Sequence, residues 1–243
     1  MVTFCGIVAG CGADSGAGTG PGAVAGPELV VEPTVVSPAP GGTVVATAAV
    51  DEVVAHVHPT ASSDVVARLA HPRPLGGPLV LVVVGPLDGP WLEVELPIRP
   101  NGSTGWISVD DVTLSRNPYR IDIDVDTHRL LVTDDGRVVL ETMVAIGTGA
   151  TPTPLGSFYL TELVQPPDPT GPYGTYAYGL SGYSETLESF NGGDGVVGIH
   201  GTDEPGSLGT DVSHGCVRVA NDTIEQMASF LPLGTRVVIS DSP

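Results

Sequence analysis

The chain contains no lysine: its nine basic residues are all arginine, set against 28 aspartates and glutamates, for a formal charge of -19 over 243 residues. Negative charge in such excess repels phosphate backbones and anionic lipid surfaces, so no nucleic-acid partner is expected. Aromatic residues are scarce too, at 5% of the chain, although 41% is hydrophobic. Valine, leucine, isoleucine and alanine must therefore fill the interior of a globular protein, long enough for one large domain or two modest ones. No apolar run approaches the ~18 residues of a membrane-spanning helix, and the longest, 79–84, suits a buried strand. Cysteine is nearly missing: Cys5 and Cys11 lie close to the N-terminus, which leaves Cys216 as the one thiol of the folded part. A disulfide framework is thereby excluded, and a lone cysteine in an exported protein is a candidate reactive thiol.

Glycine and proline crowd the N-terminus instead. They supply 15 of the first 43 residues, with alanine, serine and threonine between them, as in a flexible tether. Within this stretch Val8-Ala9-Gly10-Cys11 resembles the lipobox of bacterial lipoproteins. The resemblance implies a lipid on Cys11, the sole route to a membrane, and an exported protein at the outer face of the cytoplasmic membrane. The ten residues before Cys11 hold no lysine or arginine and are shorter than a secretory signal. Either a start upstream or a chance likeness accounts for that. The expected division is a leader remnant and tether over 1–43, a small β module over 44–115, and a second β-rich domain over 116–243.

Residues 44–115 read as short strands at 44–50, 53–57, 79–84, 91–96 and 106–109, with turns at Pro86-Leu87-Asp88-Gly89 and Pro100-Asn101-Gly102. Five short strands suggest a small barrel, and the spacing of Trp91 and Trp106 resembles bacterial SH3-like modules. Beyond Tyr119, Ile121, Ile123 and Val125 alternate with Asp122, Asp124 and Asp126, a half-exposed strand whose acidic face requires no calcium. Asp134-Asp135-Gly136 marks a hairpin between 129–133 and 137–145. Further strands are expected at 157–163, 196–199 and 236–240, with a proline-rich loop over 166–174. One helix starts near Asn221, read as its N-cap, and places Ile224, Met227, Ala228 and Leu231 on one face before Pro232. The fold class is mainly β with one clear helix.

The chemistry concentrates in two short stretches, Ile199-His200-Gly201-Thr202 and Ser213-His214-Gly215-Cys216-Val217-Arg218-Val219. A free thiol, with a pKa of about 8.5, is only a few per cent thiolate at neutral pH and needs a base. His200, at a strand end, and His214, in the turn of the cysteine, are both candidates. Gly215 lets that turn close so that N–H groups around Cys216 face one cavity, as a developing oxyanion requires. This set suits acyl transfer through a thioester. Zinc is the competing chemistry, with His200, His214 and Cys216 as ligands. Two ligands on one His-Gly-Cys turn fit a tetrahedron poorly and no fourth stands out, so no metal is expected. The papain-like order, cysteine before histidine, is the reverse of the order here.

These paired motifs match the signature of the L,D-transpeptidase (YkuD-type) catalytic domain, and the resemblance covers about 119–240. It implies that Cys216 is the nucleophile, that His200 is its general base, and that the Gly201 carbonyl orients the imidazole. His214 and Ser213 would line the pocket, and the N–H groups of His214, Gly215 and Cys216 would form the oxyanion hole. Arg218 stands where some members carry asparagine, to hold the loop or read a carboxylate. The stretch Ile146-Gly147, with 151–158, resembles a further family segment and is read as structural. Residues 173–184, rich in tyrosine and glycine, are the candidate substrate contact, with Tyr183 chosen among them. The implied fold is a β-rich L,D-transpeptidase catalytic domain preceded by a small SH3-like β-barrel, for which packing is preferred over wall binding; 96–106 is similar to a stretch that often precedes actinobacterial L,D-transpeptidase domains.

The implied partners are peptidoglycan stem peptides, whose third residues would be cross-linked with loss of D-alanine. Water as acceptor would instead make an L,D-carboxypeptidase, and a non-catalytic wall-binding protein would lack the cysteine or histidine. Carbapenem-type inhibitors are expected to acylate Cys216, and no cofactor is needed.

Overall fold

In the computed structural model, which describes residues 42–189 and 193–242, the alternating stretches pair into two large sheets. The leader and tether expected over 1–43, with Cys5 and Cys11, lie outside the described residues except for Gly42 and Thr43.

The first sheet comprises β1 (Thr43–Ala48), β2 (Glu52–His56), β3 (Val65–Ala70), β4 (Val80–Val83), β5 (Trp91–Glu95), β6 (Thr104–Ser108) and β7 (Val112–Asn117). Their order is β3-β2-β6-β5-β4-β1-β7. It has its own core, in which Val53, Leu81, Leu92, Val94 and Ile107 are fully enclosed. Five strands were expected here and seven are present. The two extra ones, β3 and β7, end the sheet, and most of their side chains are exposed or half-buried. An end strand is held by backbone pairing on one side and carries little hydrophobic signal.

The second domain begins directly after β7 with β8 (Tyr119–Asp124), followed by β9 (Arg129–Asp134), β10 (Arg137–Met143), β11 (Ile146–Gly147), β12 (Gly156–Val164) and β13 (Ala177–Tyr183). It continues with β14 (Val196–His200), β15 (Asp211–Ser213), β16 (Val217–Arg218), helix α1 (Asn221–Phe230) and β17 (Arg236–Ser240). Eight of these strands form one sheet in the order β10-β9-β8-β17-β12-β13-β14-β16, and β11 pairs separately with β15. On β8, Ile121 and Ile123 are buried while the intervening aspartates are not, as alternation demands. Asp135 and Gly136 take positive φ, 47° and 80°, in the tight turn between β9 and β10. The core gathers Ile121, Leu130, Leu160, Ile199, Val217 and Val237 around Ile224 and Met227 of α1. The helix follows Ala220 as N-cap, not Asn221, whose side chain serves elsewhere.

Residues 177–183, within the stretch read as a candidate substrate contact, form β13 between β12 and β14. Two glycines and a serine give this segment poor strand propensity, and pairing on both sides overrides it.

The two sheets meet on a small core of Val45, Val80, Val82 and Tyr159, with Leu233 beside it. At the end of β5, Glu95 is 6% exposed and reaches to the second sheet. Its carboxylate pairs with Arg236 at 2.5 Å and accepts from Ser181 at 3.2 Å, while its carbonyl accepts the Tyr159 hydroxyl at 3.1 Å. Burial and the Glu95 charge push the Tyr159 phenol well above its ordinary pKa, so it stays a donor. Removing one partner of such a pair strands the other without compensation. Glu95→Ala should therefore lower the unfolding free energy by roughly 3 kcal/mol in a denaturant titration, and a loss under about 1 kcal/mol would show that the carboxylate does not join the sheets.

Candidate active site

β14 ends at His200 because Val197 and Ile199 face the core and draw the strand inward, delivering the next side chain to its rim. β16 lies parallel to it, with Ile199 opposite Val217 and His200 opposite Arg218. The turn before β16 thereby brings Cys216 to His200, and both line a cavity of about 350 Å3 together with Tyr173, Ser184, Leu187 and His214. An adjoining cavity of about 220 Å3 shares Tyr173, His200 and Cys216 with the first and is bounded further by Leu75 and Glu162. The thiol and the imidazole stand where the two cavities meet.

His200 is 5% exposed, and its Nδ1 lies 2.6 Å from the Gly201 carbonyl oxygen. A carbonyl only accepts, so Nδ1 carries the proton and Nε2 keeps its lone pair. Burial pulls the imidazole pKa down to about 4; the Gly201 bond opposes this and the Arg218 charge assists it. The ring also packs against Tyr173, with centroids 4.9 Å apart. Cys216 is partly exposed. Burial of the sulfur raises its thiol pKa, opposed by a backbone hydrogen bond from Gly198 and by the charge of Arg218. Both shifts favour a neutral thiol beside a neutral imidazole over a thiolate–imidazolium pair.

The turn 213–216 is built by Ser213. This serine is 2% exposed, accepts the Gly215 N–H at 3.1 Å and donates to the Cys216 carbonyl at 2.5 Å. Gly215 has φ of 115°, which an L side chain rarely adopts. Ser213 lines the larger cavity, as expected, while its hydroxyl holds the turn and takes up the Gly215 N–H. Among the described residues the Cys216 N–H donates to no acceptor. His214 is exposed at the cavity edge. Residues 148–153 brace the turn from behind: Thr148 N donates to the Ser213 carbonyl at 3.0 Å, and Thr151 Oγ1 does so at 3.3 Å.

Tyr183 stands apart from the two cavities. Its hydroxyl donates to the Pro97 carbonyl at 2.7 Å, and its ring lies under Arg99, so it serves the junction with the first sheet. Of the aromatic residues in the 173–184 stretch, Tyr173 at the end of the proline-rich loop lines both cavities, and Tyr178 lines the smaller. Arg218 remains at the site, with Nη1 3.2 Å from Glu204 and Nε buried without a partner among the described residues. Asn221 was noted for capping and acts differently. Its Oδ1 accepts the Thr202 N–H at 3.0 Å, and a side chain at Gly201 or at Gly174 would place Cβ 2.1 Å from that oxygen. The first residue of α1 thus fixes the His200 loop against the proline-rich loop, which only two glycines allow. Among the described residues no three histidine, cysteine, aspartate or glutamate side chains gather as metal ligands, and no helix is long and apolar enough to cross a membrane.

Comparisons with known proteins agree on one group. A family model described as the L,D-transpeptidase catalytic domain matches residues 118–239. YkuD of Bacillus subtilis is 35% identical over 123 residues, covering 51% of this chain and 66% of that protein. YqjB of the same organism is 33% identical over 141 residues, covering 53% and 74%. The chain thus spans just under two thirds of the YkuD length. Among solved structures, an L,D-transpeptidase of Enterococcus faecium aligns at 23% identity and a TM-score of 0.40, covering 51% of this chain and 50% of its own.

The protonation states give a test by alkylation. The His200 pKa is lowered, so the imidazole is neutral at every pH above about 4; the Cys216 pKa is raised, so its thiol is protonated at neutrality. Iodoacetamide alkylation of Cys216 should therefore climb continuously from pH 6 to pH 9, because the reactive thiolate grows with pH (ordinary thiol pKa about 8.5). A plateau between about pH 5 and 7 would instead reveal a preformed ion pair.

Proposed function

The chain belongs to the L,D-transpeptidase (YkuD) catalytic-domain family, and on that footing we propose that it is an exported enzyme that cross-links peptidoglycan stem peptides between their third residues. The observation that carries this reading is the buried imidazole, tautomer set by the Gly201 carbonyl, in one cavity with the sole thiol of the described chain. Nε2 of His200 takes the proton of Cys216 as the sulfur attacks the carbonyl carbon of the third residue of a tetrapeptide stem. The oxyanion that forms falls to backbone N–H groups at the Cys216 turn, where that of Cys216 is uncommitted. Collapse breaks the bond to the terminal D-alanine, whose amine leaves with the proton held by His200, and a thioester remains. The side-chain amine of a second stem then attacks the thioester, gives a proton to His200, and releases the thiol.

A second cavity reaching the same sulfur favours transfer over hydrolysis, because an acceptor can approach the thioester without displacing the donor. Arg218, with an unpartnered Nε beside the cavity, suits a stem carboxylate. The substrate lies outside the cytoplasm, which supports a place at the cell envelope, where the lipobox-like Val8-Ala9-Gly10-Cys11 would offer an anchor.

Purified protein incubated with a disaccharide tetrapeptide bearing a diamino acid at its third position should yield dimers that have lost D-alanine, read by mass. Tripeptide alone would make it a carboxypeptidase, and no change with any stem type would turn the reading toward wall binding. Cys216→Ala should abolish turnover and, with it, acylation of the protein by a carbapenem, while the far-UV spectrum stays that of the wild type. His200→Ala should cost at least about 100-fold in kcat/KM, the scale of a lost general base, and more than His214→Ala; equal losses would assign the base wrongly.

A further inference from the structure

We propose that Arg99, on the turn between β5 and β6 of the first sheet, is a positioning residue for the wall of the Cys216 cavity, so that the first sheet sets how tightly the cavity holds an acyl donor. The inference rests on the function proposed above. Its basis is a convergence of three carbonyl groups on one guanidinium. Arg99 Nη1 donates to Ser184 at 2.8 Å, and Nη2 donates to Leu187 at 2.9 Å and to Asp194 at 3.0 Å. Ser184 and Leu187 line the larger cavity, and Asp194 immediately precedes Gly195, which also lines it.

The carbonyls come from two separate lengths of chain, and a planar fork of donors can serve both at once where a point charge cannot. The fork is itself held in place. The Tyr183 ring lies 4.8 Å beneath its central carbon, and the Tyr183 hydroxyl is bonded to Pro97 two residues earlier. Asn101, two residues later, donates to the Tyr183 carbonyl and accepts its N–H, both at 2.9 Å. The 97–101 turn is thus seated on the end of β13, from which the cavity wall departs. Inside the wall, Ser184 Oγ accepts the Leu187 N–H at 3.1 Å, and Ser184 N donates to Gly195 at 2.8 Å. Those bonds use the wall's amides, and Arg99 supplies donors for its carbonyls. Arg99 lines neither cavity, so its influence reaches the substrate through Ser184, Leu187 and Gly195 and leaves the nucleophile alone.

The test compares Arg99→Ala and Arg99→Lys in the full chain with Arg68→Ala, which removes an exposed pair with Glu52 on the same sheet. Steady-state turnover of the disaccharide tetrapeptide, iodoacetamide alkylation of Cys216 and amide exchange of Ser184 and Leu187 are measured on each. Arg99→Ala should raise KM about tenfold with kcat within about twofold, the scale of losing one or two charge-assisted hydrogen bonds. Alkylation should match the wild type, and exchange at Ser184 and Leu187 should quicken. Lysine at 99 restores the charge without the fork and should leave most of the KM defect, whereas Arg68→Ala should behave as wild type. Wild-type KM in Arg99→Ala, full rescue by lysine, or a parallel loss of alkylation would each overturn the proposal. If the wild type turns over no tetrapeptide, the functional reading falls by itself; exchange at 184–187 then decides, faster in Arg99→Ala upholding the positioning role and unchanged refuting it.

Discussion

The hydrogen bond from His200 Nδ1 to the neighbouring Gly201 carbonyl, 2.6 Å long, governs the chemistry of this site. Where a carboxylate orients a histidine it also stabilises the imidazolium, whereas a carbonyl contributes direction and a partial charge only. Here the ring is buried, and its pKa falls to about 4. The imidazole is therefore neutral, with its tautomer set by the chain itself and the ring lining the cavity. The constraint passes outward. The carbonyl of Gly201 holds its direction only while the loop around it is held, and Asn221 at the start of α1 does this through the Thr202 N–H. The close approach of Gly174 and Gly201 to that amide is what the two missing side chains permit.

A second consequence concerns the cysteine turn. Ser213 closes it from inside, with one hydroxyl bonded to both the Gly215 amide and the Cys216 carbonyl. The hydroxyl thereby takes up the Gly215 amide and ties the turn that carries Cys216. The 148–153 segment behind it fills the remaining bonding capacity of the Ser213 carbonyl. Cys216 is thus presented on a turn whose polar atoms are mostly satisfied within the chain, which suits a group that must keep its place as charge moves across it.

The first sheet is coupled to this arrangement through polar contacts at several points. Glu95 joins Arg236 and Ser181, Arg73 pairs with Glu162 at 2.8 Å beside the smaller cavity, and Asn117 donates to Thr235. The apolar part of the junction is small. A junction of this composition fixes orientation more than it adds stability, because each polar bond is worth little net once water is displaced.

Local rules made much of the chain legible. Alternation marked β8, the Asp134-Asp135-Gly136 turn marked its hairpin, and the 3.6-residue period with Pro232 bounded α1. The stretches around His200 and Cys216 were enough to single out a thiol and its candidate bases, and their resemblance to a known signature pointed to the family. The strand, turn and helix signals reside within a few residues, where backbone geometry alone sets the repeat. What the residues do for one another was decided elsewhere. Tyr183 and Tyr173 are both tyrosines in one Gly-rich stretch, yet one faces the first sheet and the other His200. β13 is a strand because two neighbours supply its hydrogen bonds, and Asn221 binds Thr202 because a loop 19 residues earlier passes over the helix start. Arg99 meets Ser184 across 85 residues of sequence. Such assignments depend on which surfaces come together and which buried carbonyls still need a donor, and no short-range pattern encodes that.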